Sequence, residues 1–180
     1  MKRLFIVIIA LSLISPLVVK AQEKTSSPII FIYDASGSMW GQLQDTTKME
    51  IAAEVLSGSI NTLVENQQVG LLAYGHREKG NCRDVEFLVK MENTDKDLVN
   101  SSLADIKPLG KTPLAYSATQ VINRLREADK KATIILITGG IESCDGNICD
   151  VVTAARAEGI DFRLHIVGFG LQGEETAQLK

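Results

Sequence analysis

The segment IIFIYDASGSMWG, residues 29 to 41, decides how the chain folds. Ile29 to Tyr33 form an uninterrupted apolar run that ends abruptly at Asp34. A strand without polar alternation is buried on both faces, as in a parallel sheet covered by helices. Asp34, Ser36 and Ser38 then put oxygen-bearing side chains at every second position, with Gly37 allowing a tight turn between the serines. Such residues either bond their own backbone in a turn or hold a ligand.

Outward from this segment, strand and helix patterns alternate. TKMEIAAEVLSGSINTLVEN, residues 47 to 66, carries Met49, Ala53, Leu56, Ile60 and Leu63 at helical spacing, and Thr47 to Glu50 fits a capping box. QVGLLAY (68–74) reads as a second buried strand, and VEFLV (85–89) as an alternating edge strand. A helix is expected over 93–106 and a stronger one over 112–130, with Thr112 as cap and Pro113 in the first turn. ATIILIT (132–138) is a fourth strand, and a helix over 149–159 ends at Gly159. DFRLHIVGFG (161–170) is a fifth strand, in which His165 is expected in the core; residues 171–180 begin a further helix.

This order implies an α/β fold: a doubly wound, mostly parallel sheet with one antiparallel edge strand. Such sheets bind ligands beyond the carboxyl ends of their strands, where the strand order reverses. DASGS, GKTP and TGGIESC all lie at strand-to-helix transitions, so the fold gathers them on one edge.

Residues 1–21 stand apart. Lys2 and Arg3 precede an almost wholly apolar run from Leu4 to Leu13, Pro16 breaks it, and Ala21 ends a stretch suited to cleavage. This is the pattern of a secretory signal peptide, and the run is shorter than the roughly 20 residues of a membrane span. Residues 22–27 read as a short polar leader and 28–180 as one domain. The expectation is export to the periplasm or the extracellular space, with no membrane span after cleavage. Cleavage removes Lys2, Arg3 and Lys20 and no acid, taking the formal charge from −3 to −6. An acidic domain without a basic run is a poor partner for nucleic acid.

Export also permits a disulfide. Cys82, Cys144 and Cys149 allow three pairings; the short loop CDGNIC favours Cys144 with Cys149 and leaves Cys82 over.

Several chemical motifs fail on inspection. GKT at 110–112 lacks the glycine a phosphate loop needs five residues earlier, where Asp105 stands. Neither serine sits in G-x-S-x-G. Ser36 and Ser38 replace the Asp or Asn of a calcium loop.

FIYDASGSMWG, GLLAYGHR, LGKTPL and ILITGG, taken in that order, resemble the von Willebrand factor type A domain with its metal-ion-dependent adhesion site. The resemblance covers most of residues 28–180. It implies a six-stranded α/β sheet with one divalent cation at its upper edge, Mg²⁺ in the usual case and Mn²⁺ or Ca²⁺ otherwise. It also implies a protein partner that offers a carboxylate to that cation. Asp34, Ser36, Ser38 and Thr112 fall on the family's metal-binding positions, and hydroxyls with a carboxylate are the hard oxygens such ions take. One position departs from the pattern. The fourth strand ends in TGG rather than TDG, so Gly139 stands where the family carries a second Asp. Weak metal binding is the expectation, with Glu142 or Asp145 as possible substitutes. Trp40 is expected on the partner-binding face, and His76 is expected to be structural. The family's sheet gains a final helix and strand after HIVGFG, which are expected to be missing here.

Three functions remain on the sequence. The first is a non-enzymatic exported protein-binding module for adhesion or scaffolding. The second is a scaffold with a degenerate, metal-free site. The third, a metal-assisted hydrolase, lacks a general base converging on Asp34.

Overall fold

A computed structural model describes residues 26–177 and 179; the expected signal peptide and most of the polar leader lie outside the described residues. The apolar run forms β1 (Ile29–Asp34). A short helical turn over Gly37–Trp40 follows, then a small hairpin of β2 (Gln42–Leu43) and β3 (Thr46–Thr47). The sequence pattern does not predict this hairpin, because its strands are two residues long and its turn rests on Gln44 at φ +61°.

Helix α1 (Lys48–Thr62) opens on the expected capping box, Thr47 with Glu50. β4 (Val69–Tyr74), β5 (Val85–Val89), α2 (Lys96–Ala104), α3 (Leu114–Ala128), β6 (Ala132–Thr138), α4 (Ile148–Ala157), β7 (Phe162–Gly168) and α5 (Gly173–Ala177) follow in order.

Five strands make the main sheet in the order β5-β4-β1-β6-β7, and only β5 is antiparallel to its neighbour. β1 lies at its centre. Ile30 and Ile32 face α3 and α4 together with Leu72, Val121 and Leu125. Phe31 and Tyr33 face α1 and α2 together with Met49, Leu56, Leu71 and Val99. Each fully buried aliphatic side chain contributes about 1.5–3 kcal/mol, which explains why β1 tolerates no polar residue before Asp34. The strand order reverses between β1 and β6, so the crevice beyond their carboxyl ends is where this architecture places a ligand.

Two expectations need correction. His165 is exposed, not core. It sits on the outermost strand, where Phe162, Leu164 and Ile166 turn toward α4 while Arg163, His165 and Val167 alternate to the opposite, open face. Thr112 does not cap α3. The helix starts at Leu114 after Pro113, which offers no side-chain cap, and Glu142 supplies one from another loop. No helix among the described residues is long and apolar enough to cross a membrane.

Candidate functional site

At the carboxyl end of β1 the chain buries Asp34 completely. A buried carboxylate is costly unless hydrogen-bonded, and three donors meet this one. The Ser36 N–H donates to Oδ1 at 2.7 Å. The Thr138 hydroxyl and the Gly139 N–H both donate to Oδ2 at 2.9 Å. Asp34 therefore ties the ends of β1 and β6 together across the switch in strand order. Tyr74 closes the floor, its hydroxyl 3.3 Å from that of Thr138. Burial, and then the charge of Asp34, raise both the Tyr74 and Tyr33 phenols well above their ordinary values, so both stay neutral.

Above this floor the hydroxyls of Ser36 and Ser38 lie 3.0 Å apart. Thr112 is buried, and its backbone N–H donates to the Ser143 hydroxyl at 2.8 Å. A Cβ placed on Gly140 would lie 2.8 Å from the Ser38 hydroxyl and 3.8 Å from that of Thr112. The glycine at 140 thus leaves open the space around which these hydroxyls gather.

Backbone contacts bring the Thr112 loop to the serine loop. Gly37 donates to the Gly110 carbonyl and Leu109 to the Ala35 carbonyl, both at 3.0 Å, which makes a short parallel bridge between Ser36 and Gly110. Gly75 permits the approach. It sits at φ +73°, and a Cβ there would meet the Lys111 carbonyl oxygen at 2.6 Å, so only glycine fits.

The donor set suits a hard divalent cation. At a metal–oxygen distance of about 2.1 Å, adjacent corners of an octahedron lie about 3.0 Å apart, the separation of the Ser36 and Ser38 hydroxyls. The Thr112 hydroxyl makes no hydrogen bond among the described residues. Ser36, Ser38 and Thr112 are the residues that would hold such an ion, with Asp34 supplying charge from behind.

The place of a second carboxylate is crowded by two side chains. A Cβ on Gly139 would lie 2.5 Å from the Met39 sulfur and 3.0 Å from Cδ of Lys48. Glu142 and Asp145 do not fill the gap. Glu142 accepts from the Cys144 N–H at 2.9 Å and from the Ala115 N–H at 2.8 Å, so its carboxylate caps the positive end of α3. Asp145 is exposed at φ +59° and makes no hydrogen bond through its side chain among the described residues.

The disulfide expectation is overturned: Cys82 pairs with Cys144 across 62 residues, Cα to Cα 5.6 Å, and Cys149 is free. Spacing along the chain favoured the local pair. Cys149 instead sits in the first turn of α4 and packs toward the α3–α4 core, while the loops after β4 and β6 converge on one edge. Cys82 belongs to a loop organised by buried Asp84, which accepts from the Arg77 and Glu78 N–H groups and from Nε of Arg77. Burial pushes the Asp84 carboxyl up, but these hydrogen bonds outweigh it and hold the group below its ordinary value.

Trp40 stands 58% exposed beside the serine loop, and its indole N–H donates to the Pro108 carbonyl at 2.9 Å. His76 pairs with Glu86 at 3.2 Å. Sequence reasoning missed Thr138, Ser143 and Lys48. Thr138 could have been found as the polar residue closing an apolar strand; nothing local marks the other two.

The family model of the von Willebrand factor type A domain matches residues 29–142. The chain aligns at 25% identity over 169 residues with the uncharacterized protein YwmD of Bacillus subtilis (strain 168), covering 89% of this chain and 75% of that one. Proximal thread matrix protein 1 from the mussel byssus, solved with a zinc-occupied MIDAS motif, superposes with a TM-score of 0.61 at 16% identity. Manganese-loaded TRAP protein of Plasmodium vivax superposes with a TM-score of 0.62 at 17% identity. Each superposition covers 86% of this chain, but only 41% of the mussel chain and 62% of the Plasmodium chain. At these identities the likeness is one of fold.

Proposed function

The chain belongs to the von Willebrand factor type A domain family, and on that premise we propose that it is an exported, non-catalytic protein-binding module. Its binding edge consists of Ser36, Ser38 and Thr112 over buried Asp34. A divalent cation, Mg²⁺ or Mn²⁺, held by those hydroxyls would supply the positive charge to which a partner's carboxylate binds. One observation carries the reading: the 3.0 Å pair of serine hydroxyls set by the same loop that buries Asp34. The fold is shared with chains solved with zinc and with manganese; the metal proposed here rests on this chain's own donors.

The residues favour binding over turnover. Asp34 is buried and spends both oxygens on three donors, so it has no reach toward a substrate proton. Neither histidine stands over the hydroxyls, since His76 is held by Glu86 and His165 lies on the exposed edge strand. Trp40 offers the partner an apolar contact beside the charged one. Export rests on the pattern of residues 1–21.

Thermal unfolding with added Mn²⁺ or Mg²⁺ tests the metal. A specific ion at 100 times its dissociation constant adds roughly 2.7 kcal/mol, and Ser36→Ala/Ser38→Ala should erase that shift. Partner capture should be lost in Asp34→Ala and in chelator while the domain stays folded; capture unchanged in both defeats the proposal. A metal-free scaffold is the second reading, favoured by Met39 and Lys48 crowding the position at Gly139. No thermal shift at millimolar metal, with capture intact in chelator, would support it.

A further inference from the structure

Lys48, the first residue of α1, does not extend into solvent as a surface lysine does. Its side chain threads across three glycines. A Cβ on Gly41 would lie 3.3 Å from its Cε, one on Gly139 3.0 Å from its Cδ, and one on Gly170 3.0 Å from its Cε. The ammonium then donates to the Gly139 carbonyl at 2.8 Å. No carboxylate lies within ion-pair distance of it among the described residues. A half-buried cation is thus held on a neutral acceptor, in a channel that any side chain at 139 would obstruct.

Gly139 joins this cation to the binding edge. Its N–H donates to Asp34 and its carbonyl accepts from Lys48, so one residue separates the buried carboxylate of Asp34 from a positive charge. Glu142, whose charge reaches Tyr74 in the floor of the edge, adds a second carboxylate, so Asp34, Glu142 and Lys48 together leave one negative charge without an added ion. A divalent cation placed on the hydroxyls turns this into an excess of one positive charge, which a partner's carboxylate offsets and which would be absent without Lys48. Like charges in a partly desolvated edge repel more strongly than in water.

We propose that Lys48 is a resident counter-cation that keeps affinity for a bare divalent ion low and makes metal binding depend on a partner's carboxylate. This rests on the metal reading of the edge given above. Metal and partner then bind with positive coupling, which by linkage is the same in both directions.

The test is the Mn²⁺ dissociation constant, read by electron paramagnetic resonance of the free ion, for the full chain and four variants. Lys48→Met keeps the aliphatic stem in its glycine channel, and Lys48→Gln serves if the methionine variant does not fold. Either should bind Mn²⁺ about tenfold more tightly than the parent. Lys48→Arg keeps the charge and should bind as weakly as the parent. Ser36→Ala/Ser38→Ala should not bind. If Lys48→Met or Lys48→Gln matches the parent while the serine variant loses binding, the inference falls and the metal reading stands. If no form binds Mn²⁺ at 10 times the millimolar range, or if the serine variant binds as the parent does, both fall.

Discussion

Removing the Cys82–Cys144 bridge tests the arrangement of the edge most directly. The bridge closes a loop of 62 residues. In the chain-entropy account a loop of that length removes about 4 kcal/mol of conformational freedom from the unfolded state. Set against a total stability of roughly 5–15 kcal/mol for a domain, this is a large share. Cys82→Ser and Cys144→Ser should each lower the free energy of unfolding in urea by about that amount, whereas Cys149→Ser should change it by under about 1 kcal/mol. The loss should also reach the edge, because Cys144 follows Ser143, which holds Thr112, and its N–H is held by Glu142, which caps α3. Peptide mapping without reduction gives an independent reading. Trypsin releases Cys82 as GNCR (80–83) and both other cysteines on residues 132–156. The two peptides should emerge joined, with Cys149 alone open to alkylation. Free GNCR beside an internally bridged 132–156 peptide would refute the convergence of these loops.

Glu142→Ala removes the cap of α3 and should cost about 1 kcal/mol in urea unfolding; an unchanged midpoint would show that the Ala115 N–H finds water instead. Gly139→Asp forces Met39 and Lys48 to move and should cost about 1–3 kcal/mol as overpacking, a loss that Lys48→Ala should partly reverse in a thermal melt of the double variant. Asp84 has a lowered pKa in the fold. Its contribution is therefore fully present above the ordinary carboxyl value of about 3.9 and is lost as pH falls through the lower folded value. Asp84→Asn should be less stable at neutral pH and should flatten the acid limb of the stability curve; an acid limb as steep as the parent's would count against it.

Much of this arrangement was legible in the sequence, and the limits were physical. β1, β4 and β6 were visible because strands buried on both faces carry unbroken apolar runs, and α1 because Thr47 and Glu50 satisfy each other locally. Asp34, Ser36 and Ser38 were visible because they share one loop. What failed depended on distant contacts. Thr112 carried a cap's signature, but the cap of α3 comes from Glu142, 27 residues from the Ala115 N–H that it accepts. Cys144 had a near partner in sequence and a different one in space. His165 alternated correctly, but alternation does not say which face of an edge strand is covered. Lys48 reads as any polar first-turn residue; its path is set by glycines at 41, 139 and 170, which meet only in the folded chain.

The tether from Trp40 to the Pro108 carbonyl bears on how a partner is read. An indole held at its nitrogen keeps its face open yet has little rotational freedom left to lose when something stacks on it. The ring and the hydroxyl cluster then form two anchor points fixed relative to each other. A single charged contact lets a peptide approach in either direction along the edge. Two unlike contacts, one apolar and one charged, admit one direction and one spacing. Trp40→Phe would keep the apolar face but free the ring, so its cost would fall on selectivity between peptides before it fell on affinity for any one of them.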